Sequence, residues 1–201
     1  MRSIFQSLLL GVFLAQGGTA LAQETTATED DQPAAETPDD LSLGEPVGPQ
    51  VGQPYVLQEF GDWEMRCVKA PEGQRDPCNL YQLLENDEGV AVAEFNLFRL
   101  PPGARASAGA TIVVPLETLL TEQLTLAVDG ANARRYPFTF CNSAGCVARL
   151  GFTEAEVQQL RRGNVATIRL VPAADPSTEV VLDVSLIGFT AGFEGTVTLD
   201  E

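Results

Sequence analysis

The sequence contains no histidine. Histidine is the usual general base near neutral pH and the usual nitrogen ligand of zinc and copper, so its absence excludes Ser-His-Asp catalysis, Cys-His catalysis and nearly every metal site built on imidazole. Basic residues are also few, since 12 lysines and arginines stand against 28 acidic residues, for a formal net charge of −16. Nucleic acid and anionic membrane surfaces repel such a chain. We therefore expect no metal, no cofactor and no nucleic-acid partner.

The sequence also lacks an apolar run of the roughly 20 residues that a membrane-spanning helix needs. Its amino terminus holds a shorter apolar run, residues 4–15, preceded by Arg2 and followed by Ala20 and Ala22 in the small-residue pattern that signal peptidase cleaves. We predict a signal peptide over residues 1–22, cleaved after Ala22, with no membrane span left afterwards. The predicted location is the periplasm or, for a secreted or cell-surface protein, the exterior.

Residues 23–54 contain no aromatic residue and no basic residue, but they contain eight acidic ones together with many Thr, Pro and Gly. Such a segment cannot bury enough apolar surface to offset the entropy lost on ordering. The composition predicts a disordered acidic linker, which acts as a tether or docks on a basic partner. Residues 55–201 are long enough for one domain with its own core.

Four cysteines are present, and no Cys-x-x-Cys redox motif accompanies them. Three pairings are possible, and the pairing of neighbours, Cys67 with Cys78 and Cys141 with Cys146, is favoured because each pair flanks one short connection. A four-cysteine metal site is the alternative, but these spacings fit a zinc ribbon poorly and an oxidising compartment opposes it. We expect two local, structural disulfides.

Short alternating runs separated by turn residues predict many strands. Trp63, Met65 and Cys67 alternate with polar residues, so we expect Trp63 to point into the core. One helix is signalled, with Thr153 and Glu156 as a capping box. Residues 188–199 are expected to form a loop whose phenylalanines cap the core. The fold class is therefore all-β: an antiparallel β-sandwich with one short helix and two local disulfides.

The disulfide hairpin is where we place a candidate contact surface, formed by its loop and by two arginines that are close to it in sequence: Arg134, Arg135, Asn142, Ser143 and Gly145. Two acidic pairs, Asp62 with Glu64 and Asp87 with Glu88, leave a carboxylate hydrolase open as a minor alternative. Aromatic residues in a concave sheet face, Trp63, Tyr81 or Tyr136, would instead serve a glycan or small molecule.

An ordered series of motifs resembles the invasion-associated locus B family of secreted bacterial proteins. The motifs are Phe60-Gly61-Asp62-Trp63 leading to Cys67, Cys78 to Gln82, Gly109 to Ile112, Val128 to Gly130, Pro137 to Cys146, and Ser185-Leu186 with Gly188 to Thr190. The resemblance covers essentially the whole of residues 55–201. The acidic segment before it is not part of the family pattern.

The resemblance implies a periplasmic or outer-surface β-sandwich without known enzymatic activity, associated in pathogenic members with entry into host red cells. It supplies no catalytic or ligand residue. Together with the residues themselves it leads to the hypothesis of an exported, non-enzymatic envelope protein that binds an unknown protein partner. The alternative is a periplasmic module that binds a small molecule or a glycan.

Overall fold

The computed structural model describes residues 42–45 and 47–196. The chain divides into two units, residues 1–45 and residues 46–201. Of the first unit only Ser42 to Glu45 are described, an exposed stretch in which the Gly44 N–H donates to Ser42 Oγ at 3.2 Å. The predicted signal peptide and most of the predicted acidic linker lie outside the described residues. No helix among the described residues is long and apolar enough to cross a membrane.

Residues 47–196 contain eleven strands and two α-helices. In chain order they are β1 (Pro54–Phe60), β2 (Trp63–Val68), β3 (Cys78–Glu85), β4 (Ala91–Arg99), β5 (Ala108–Val114), β6 (Leu124–Val128), β7 (Ala131–Tyr136), β8 (Phe138–Asn142), β9 (Gly145–Phe152), α1 (Glu154–Arg162), β10 (Val165–Leu170), β11 (Val180–Ser185) and α2 (Phe189–Gly195). A 3-10 turn, Leu120–Glu122, precedes β6.

The strands form two antiparallel sheets. Seven strands lie in the order β1-β2-β3-β4-β5-β9-β8, and four lie in the order β11-β10-β6-β7. Buried side chains from both sheets form one core, in which Trp63, Phe95 and Phe152 are among the largest. The alternation of side chains along each strand explains which of them are buried, because every second residue of a strand points to the same face. The predicted mostly β fold of two antiparallel sheets is confirmed.

Helix α1 begins with the predicted capping box. The Thr153 side chain accepts from the Glu156 N–H, and the Glu156 carboxylate accepts from the Thr153 N–H at 2.8 Å. Val157 and Leu160 are buried, and Arg161 and Arg162 occupy the last turn, where positive charge complements the helix dipole.

A second helix, α2, forms where a loop was predicted. Its two glycines give the segment a low intrinsic helix propensity, which is why the sequence pattern did not reveal it. Phe189 and Phe193 are four residues apart, so a helix places both on one face, and both are buried. The expectation that these phenylalanines cap the core is confirmed, with packing rather than propensity stabilising the helix.

Candidate functional site

Both disulfides join residues that lie directly opposite each other on neighbouring strands. Cys67 on β2 faces Cys78 on β3 with a Cα to Cα distance of 4.1 Å, and Cys141 on β8 faces Cys146 on β9 at 4.0 Å. The predicted pairing of neighbours is confirmed. Each disulfide therefore holds a pair of strands in register, and neither leaves a thiol for metal binding or redox chemistry.

Trp63 lies wholly in the core, with 0% of its surface exposed. Its ring meets those of Phe95 and Phe189 edge-on, each at a centroid distance of 5.6 Å, and its indole N–H donates to the Ser185 carbonyl at 2.7 Å. The inward orientation predicted from strand alternation is confirmed. A solvent-facing platform for a glycan is therefore not available at Trp63.

Gln82 joins the segment before β2 to the end of β11. Its Nε2 donates to the Asp62 carbonyl at 3.1 Å and to the Ser185 carbonyl at 3.2 Å, while its Oε1 accepts from the Ser185 N–H at 2.9 Å. The Ser185 hydroxyl in turn donates to Asp62 Oδ2 at 2.5 Å. Motifs that carry the family resemblance thus meet here, and their polar groups form hydrogen bonds with one another.

The same junction explains Gly188. Its φ of +84° lies in the left-handed region, and a Cβ at this position would overlap the Phe60 carbonyl oxygen and come within 2.8 Å of the Gly61 nitrogen. Only glycine allows the two chain segments to approach this closely. We call the contacts among residues 60–63, Gln82 and residues 185–188 the closing junction, and its role is structural.

The structure separates the two arginines that the sequence places side by side. On β7, Arg134 lies opposite Leu126, whose side chain is buried, whereas Arg135 lies opposite Thr125 and so points to the other face of the sheet. Arg134 Nε forms an ion pair with Glu156 on α1 at 2.7 Å. The two guanidinium groups therefore cannot act together on one ligand.

Arg134 and Tyr136 help to line a small cleft of about 20 Å³ beneath α1, together with Glu156 and Gln159. Burial raises the pKa of the Tyr136 hydroxyl, and the charge of Glu156 raises it further. Because the ion pair between Arg134 and Glu156 satisfies both charges, the cleft offers no free charge to a ligand. Tyr136 is half-buried there and does not form an open aromatic platform.

The hairpin tip contributes two exposed residues and one buried residue. Asn142 and Ser143 are exposed, and Asn142 Oδ1 accepts from the Ala144 N–H at 2.9 Å, which shapes the turn. Gly145 is buried, and a Cβ there would overlap the Val114 carbonyl oxygen. Gly145 therefore supports the hairpin from within, and only the tip residues before it are available to a partner.

An apolar row crosses the outer face of the seven-stranded sheet and ends at this hairpin. Strand registers place Leu83 opposite Glu94, Glu94 opposite Val113, Val113 opposite Val147, and Val147 opposite Phe140. The neighbouring residues on these strands, such as Leu84 and Val114, point into the core. We call Leu83, Val113, Val147 and Phe140 the apolar row.

The apolar row borders a groove of about 220 Å³. The groove is lined by Leu83, residues 91–94, Val113 to Pro115 and Ala144 of the hairpin tip, and we call it the hairpin groove. Leu83 is 44% exposed and Phe140 is 43% exposed, which are large fractions for apolar side chains on a paired sheet. Sequence analysis located the hairpin tip but missed the groove beside it, because the row is assembled from strands far apart in sequence.

A second concave region lies between the end of β4, α1 and α2. This two-arginine cleft has a volume of about 290 Å³ and includes Arg99, Arg161, Phe193 and Glu154 in its lining. The guanidinium groups of Arg99 and Arg161 lie 5.6 and 5.2 Å from the centre of the Phe193 ring, and Arg161 also pairs with Glu194 at 2.8 Å. Hydrogen bonds from Gln158 and Ser107, reinforced by the two arginines, lower the pKa of Glu154.

None of the candidate acidic residues lines the clefts described above. Asp62 accepts the Ser185 hydroxyl, Glu64 pairs with Arg66 at 2.7 Å, and Asp87 and Glu88 lie exposed on the turn between β3 and β4. Within the described ranges there is no group of three or more cysteine, aspartate or glutamate side chains that could hold a metal ion.

Comparison with known proteins identifies a family model and solved structures that match the chain. The family model described as "Invasion associated locus B (IalB) protein" matches residues 63–197. Among solved structures, the chain is similar to that of invasion associated protein B from Bartonella henselae, with a TM-score of 0.56 and 23% sequence identity over 67% of this chain and 91% of that chain. At this identity the structural match shows a shared fold. No curated protein matches the chain.

Proposed function

Because the chain belongs to the invasion associated locus B family, whose model matches its residues 63–197, we propose that it is an exported, non-enzymatic envelope protein that binds another protein. The family and the two disulfides suggest an extracytoplasmic location, since disulfides persist in oxidising compartments. The proposed compartment is the periplasm or the outer cell surface.

The observation that supports binding is the apolar row beside the hairpin groove. Leu83 and Phe140 are the exposed members of this row, and each loses water-exposed apolar area when a partner covers it, at roughly 25 cal/mol per Å². Val147 between them is 5% exposed, and Glu94 separates Leu83 from Val113. Leu83 and Phe140 lie at the two ends of the row, and Ala144 brings the hairpin tip to the groove. Asn142 and Ser143 supply polar groups at its rim, which is the usual composition of a protein interface.

The non-enzymatic part of the proposal rests on the residue types. A chain without histidine lacks the usual general base, and each residue of one candidate acidic pair is held by a neighbour, Asp62 by Ser185 and Glu64 by Arg66. The closing junction, which contains much of the family pattern, is a structural contact between distant parts of the chain.

Photo-crosslinking in the source bacterium tests this proposal. A photoreactive amino acid replaces Leu83 or Phe140 in the full chain, and in a matched control it replaces Val181, which is 52% exposed on β11 of the other sheet. We expect a discrete adduct with a second protein at Leu83 and Phe140 and none at Val181. No adduct at either row position, or the same adduct at all three positions, would refute a protein-binding row.

The alternative function, binding of a small anionic molecule, is favoured by one observation in the two-arginine cleft. Arg99 lies there without a carboxylate within 4.0 Å among residues 42–45 and 47–196, whereas Arg161 is paired with Glu194. A thermal-shift screen of organic carboxylates with the intact protein tests it. A stabilising ligand whose effect is lost in Arg99→Gln would support this function, and no stabilisation by any carboxylate would oppose it.

A further inference from the structure

One unpaired acidic residue lines the hairpin groove, and three more lie at the neighbouring turn between β3 and β4. Glu85, Asp87 and Glu88 lie on or beside the turn between β3 and β4, and Glu94 lies in the groove wall. All four are exposed, and within the described part of the chain none has a lysine or arginine nitrogen within 4.0 Å. Glu64, on the outer face of the same sheet, is by contrast paired with Arg66 at 2.7 Å.

The strand register places these carboxylates next to apolar groups. Glu94 lies directly opposite Leu83, and Glu85 lies opposite Ala91, which begins the stretch that lines the groove. Tyr81 lies on the same outer face as the apolar row. Burial raises the pKa of its hydroxyl, and the charge of Glu94 raises that pKa further. The groove therefore combines apolar side chains with acidic ones at its β3-β4 end, the acidic rim.

The opposite end of the apolar row carries one positive charge. The Arg149 guanidinium lies 5.5 Å from the centre of the Phe140 ring, and Arg149 belongs to the next cross-strand row, opposite Thr111. The row thus runs from an acidic end at Leu83 to an end with a single arginine at Phe140. This asymmetry gives an occupant a preferred direction.

We propose that the hairpin groove binds a partner segment in which apolar side chains alternate with or flank lysine or arginine residues, its basic part lying at the acidic rim beside Leu83. This inference rests on the proposed protein-binding function and names the chemistry of the partner. Apolar contacts in the groove provide affinity, and the carboxylates attract and orient the segment. The net charge of −16 acts over a longer range in the same direction.

A second copy of this chain fits the groove poorly. Two copies joined through this surface bring together acidic rims of the same sign, and the whole chains repel each other as well. An acidic or uncharged segment would leave Glu94 beside apolar groups without a counter-charge. The charge of the rim therefore selects a basic occupant.

A synthetic peptide of alternating lysine and valine, labelled with a fluorophore, provides the test with the full-length mature protein. We expect anisotropy to show saturable binding that weakens as salt rises from about 50 to about 300 mM, because salt screens exposed charges. Peptides with glutamate or serine in place of lysine should bind at least about fivefold more weakly.

Variants locate the peptide on the protein. Glu94→Gln should weaken binding about two- to fivefold, and Leu83→Ser roughly three- to tenfold, while Leu83→Ile should restore it. Asp183→Asn, which removes an exposed carboxylate on β11 of the other sheet, is the matched control and should leave affinity unchanged. Equal effects of Asp183→Asn and Glu94→Gln would show non-specific attraction and overturn the proposal.

The remaining outcomes separate this inference from the proposed function. Crosslinking at Leu83 to a partner whose contacting segment has no lysine or arginine would overturn the basic occupant and leave protein binding intact. A dimer in light scattering that Leu83→Ser disrupts would identify a second copy as the occupant. Absence of any adduct at the row, together with no peptide binding, would refute both.

Discussion

Replacement of Gln82 by leucine should destabilise the domain strongly, because this one side chain forms three hydrogen bonds. Leucine has a similar volume, so the change leaves no large cavity and mainly removes three hydrogen bonds at the closing junction. The Ser185 carbonyl keeps the indole N–H of Trp63 as a donor. The Ser185 N–H and the Asp62 carbonyl lose the partner that Gln82 provides.

The expected magnitude follows from those two groups. A buried donor or acceptor without a partner costs about 1 to 3 kcal/mol, and Gln82 is 7% exposed. We therefore expect the free energy of unfolding to fall by about 2 to 4 kcal/mol. For a domain of this size that corresponds to a decrease in Tm of roughly 5 to 15 °C.

Urea unfolding followed by tryptophan fluorescence measures this change directly. Trp63 is the only tryptophan and lies at the junction, so its emission reports on the region that the substitution perturbs. Gln74→Leu is the control, because Gln74 is exposed in the loop between β2 and β3 and its side chain forms no hydrogen bond within the described residues. We expect Gln74→Leu to change the free energy of unfolding by less than about 0.5 kcal/mol.

A loss below about 1 kcal/mol for Gln82→Leu, with an unchanged dependence on urea, would refute the structural importance of the junction. If that variant does not fold, Gln82→Glu replaces it. The introduced carboxylate still accepts from the Ser185 N–H but cannot donate to the two carbonyls. Burial raises its folded-state pKa, so the variant should become more stable relative to the parent as pH falls and the carboxyl is protonated.

Three further predictions concern other parts of the domain. Gly188→Ala should lower the free energy of unfolding, measured with urea, by at least about 3 kcal/mol. Gly73 has a similar φ of +83° but open space around it, so Gly73→Ala should lower it by about 1 kcal/mol, and equal losses would mean that contact with Phe60 is unimportant. Reduction of both disulfides should lower stability by about 2 to 3 kcal/mol each, seen as a lower Tm in thermal scans; free thiols with an unchanged Tm would contradict this. Hydrogen bonds from the Val165 and Asn164 N–H groups lower the pKa of Asp129, so its stabilising effect is present above about pH 4 and is lost as pH falls through its folded-state value. The difference in free energy of unfolding between the parent and Asp129→Asn should therefore become smaller as pH is lowered. A difference that stays constant with pH would contradict a stabilising role of the Asp129 carboxylate.

Features that depend on neighbours in sequence were predictable. The capping box at Thr153, the inward side of the strand that contains Trp63, and the pairing of each cysteine with its neighbour all follow from spacings of a few residues. The same local patterns indicate two sheets of short antiparallel strands. They also locate the hairpin tip, which does lie beside the groove.

Features that depend on which strands become neighbours were decided by the tertiary structure. The apolar row takes its four residues from four strands, α2 forms because the core covers its phenylalanines, and Gln82 meets Ser185 across 103 residues of chain. Adjacent residues on a strand face opposite ways, so Arg134 and Arg135 do not form the basic pair that their sequence positions indicate. Local spacing therefore determined the strands, the helix cap and the disulfides of this protein, whereas cross-strand register, which no local pattern encodes, determined its candidate binding surface.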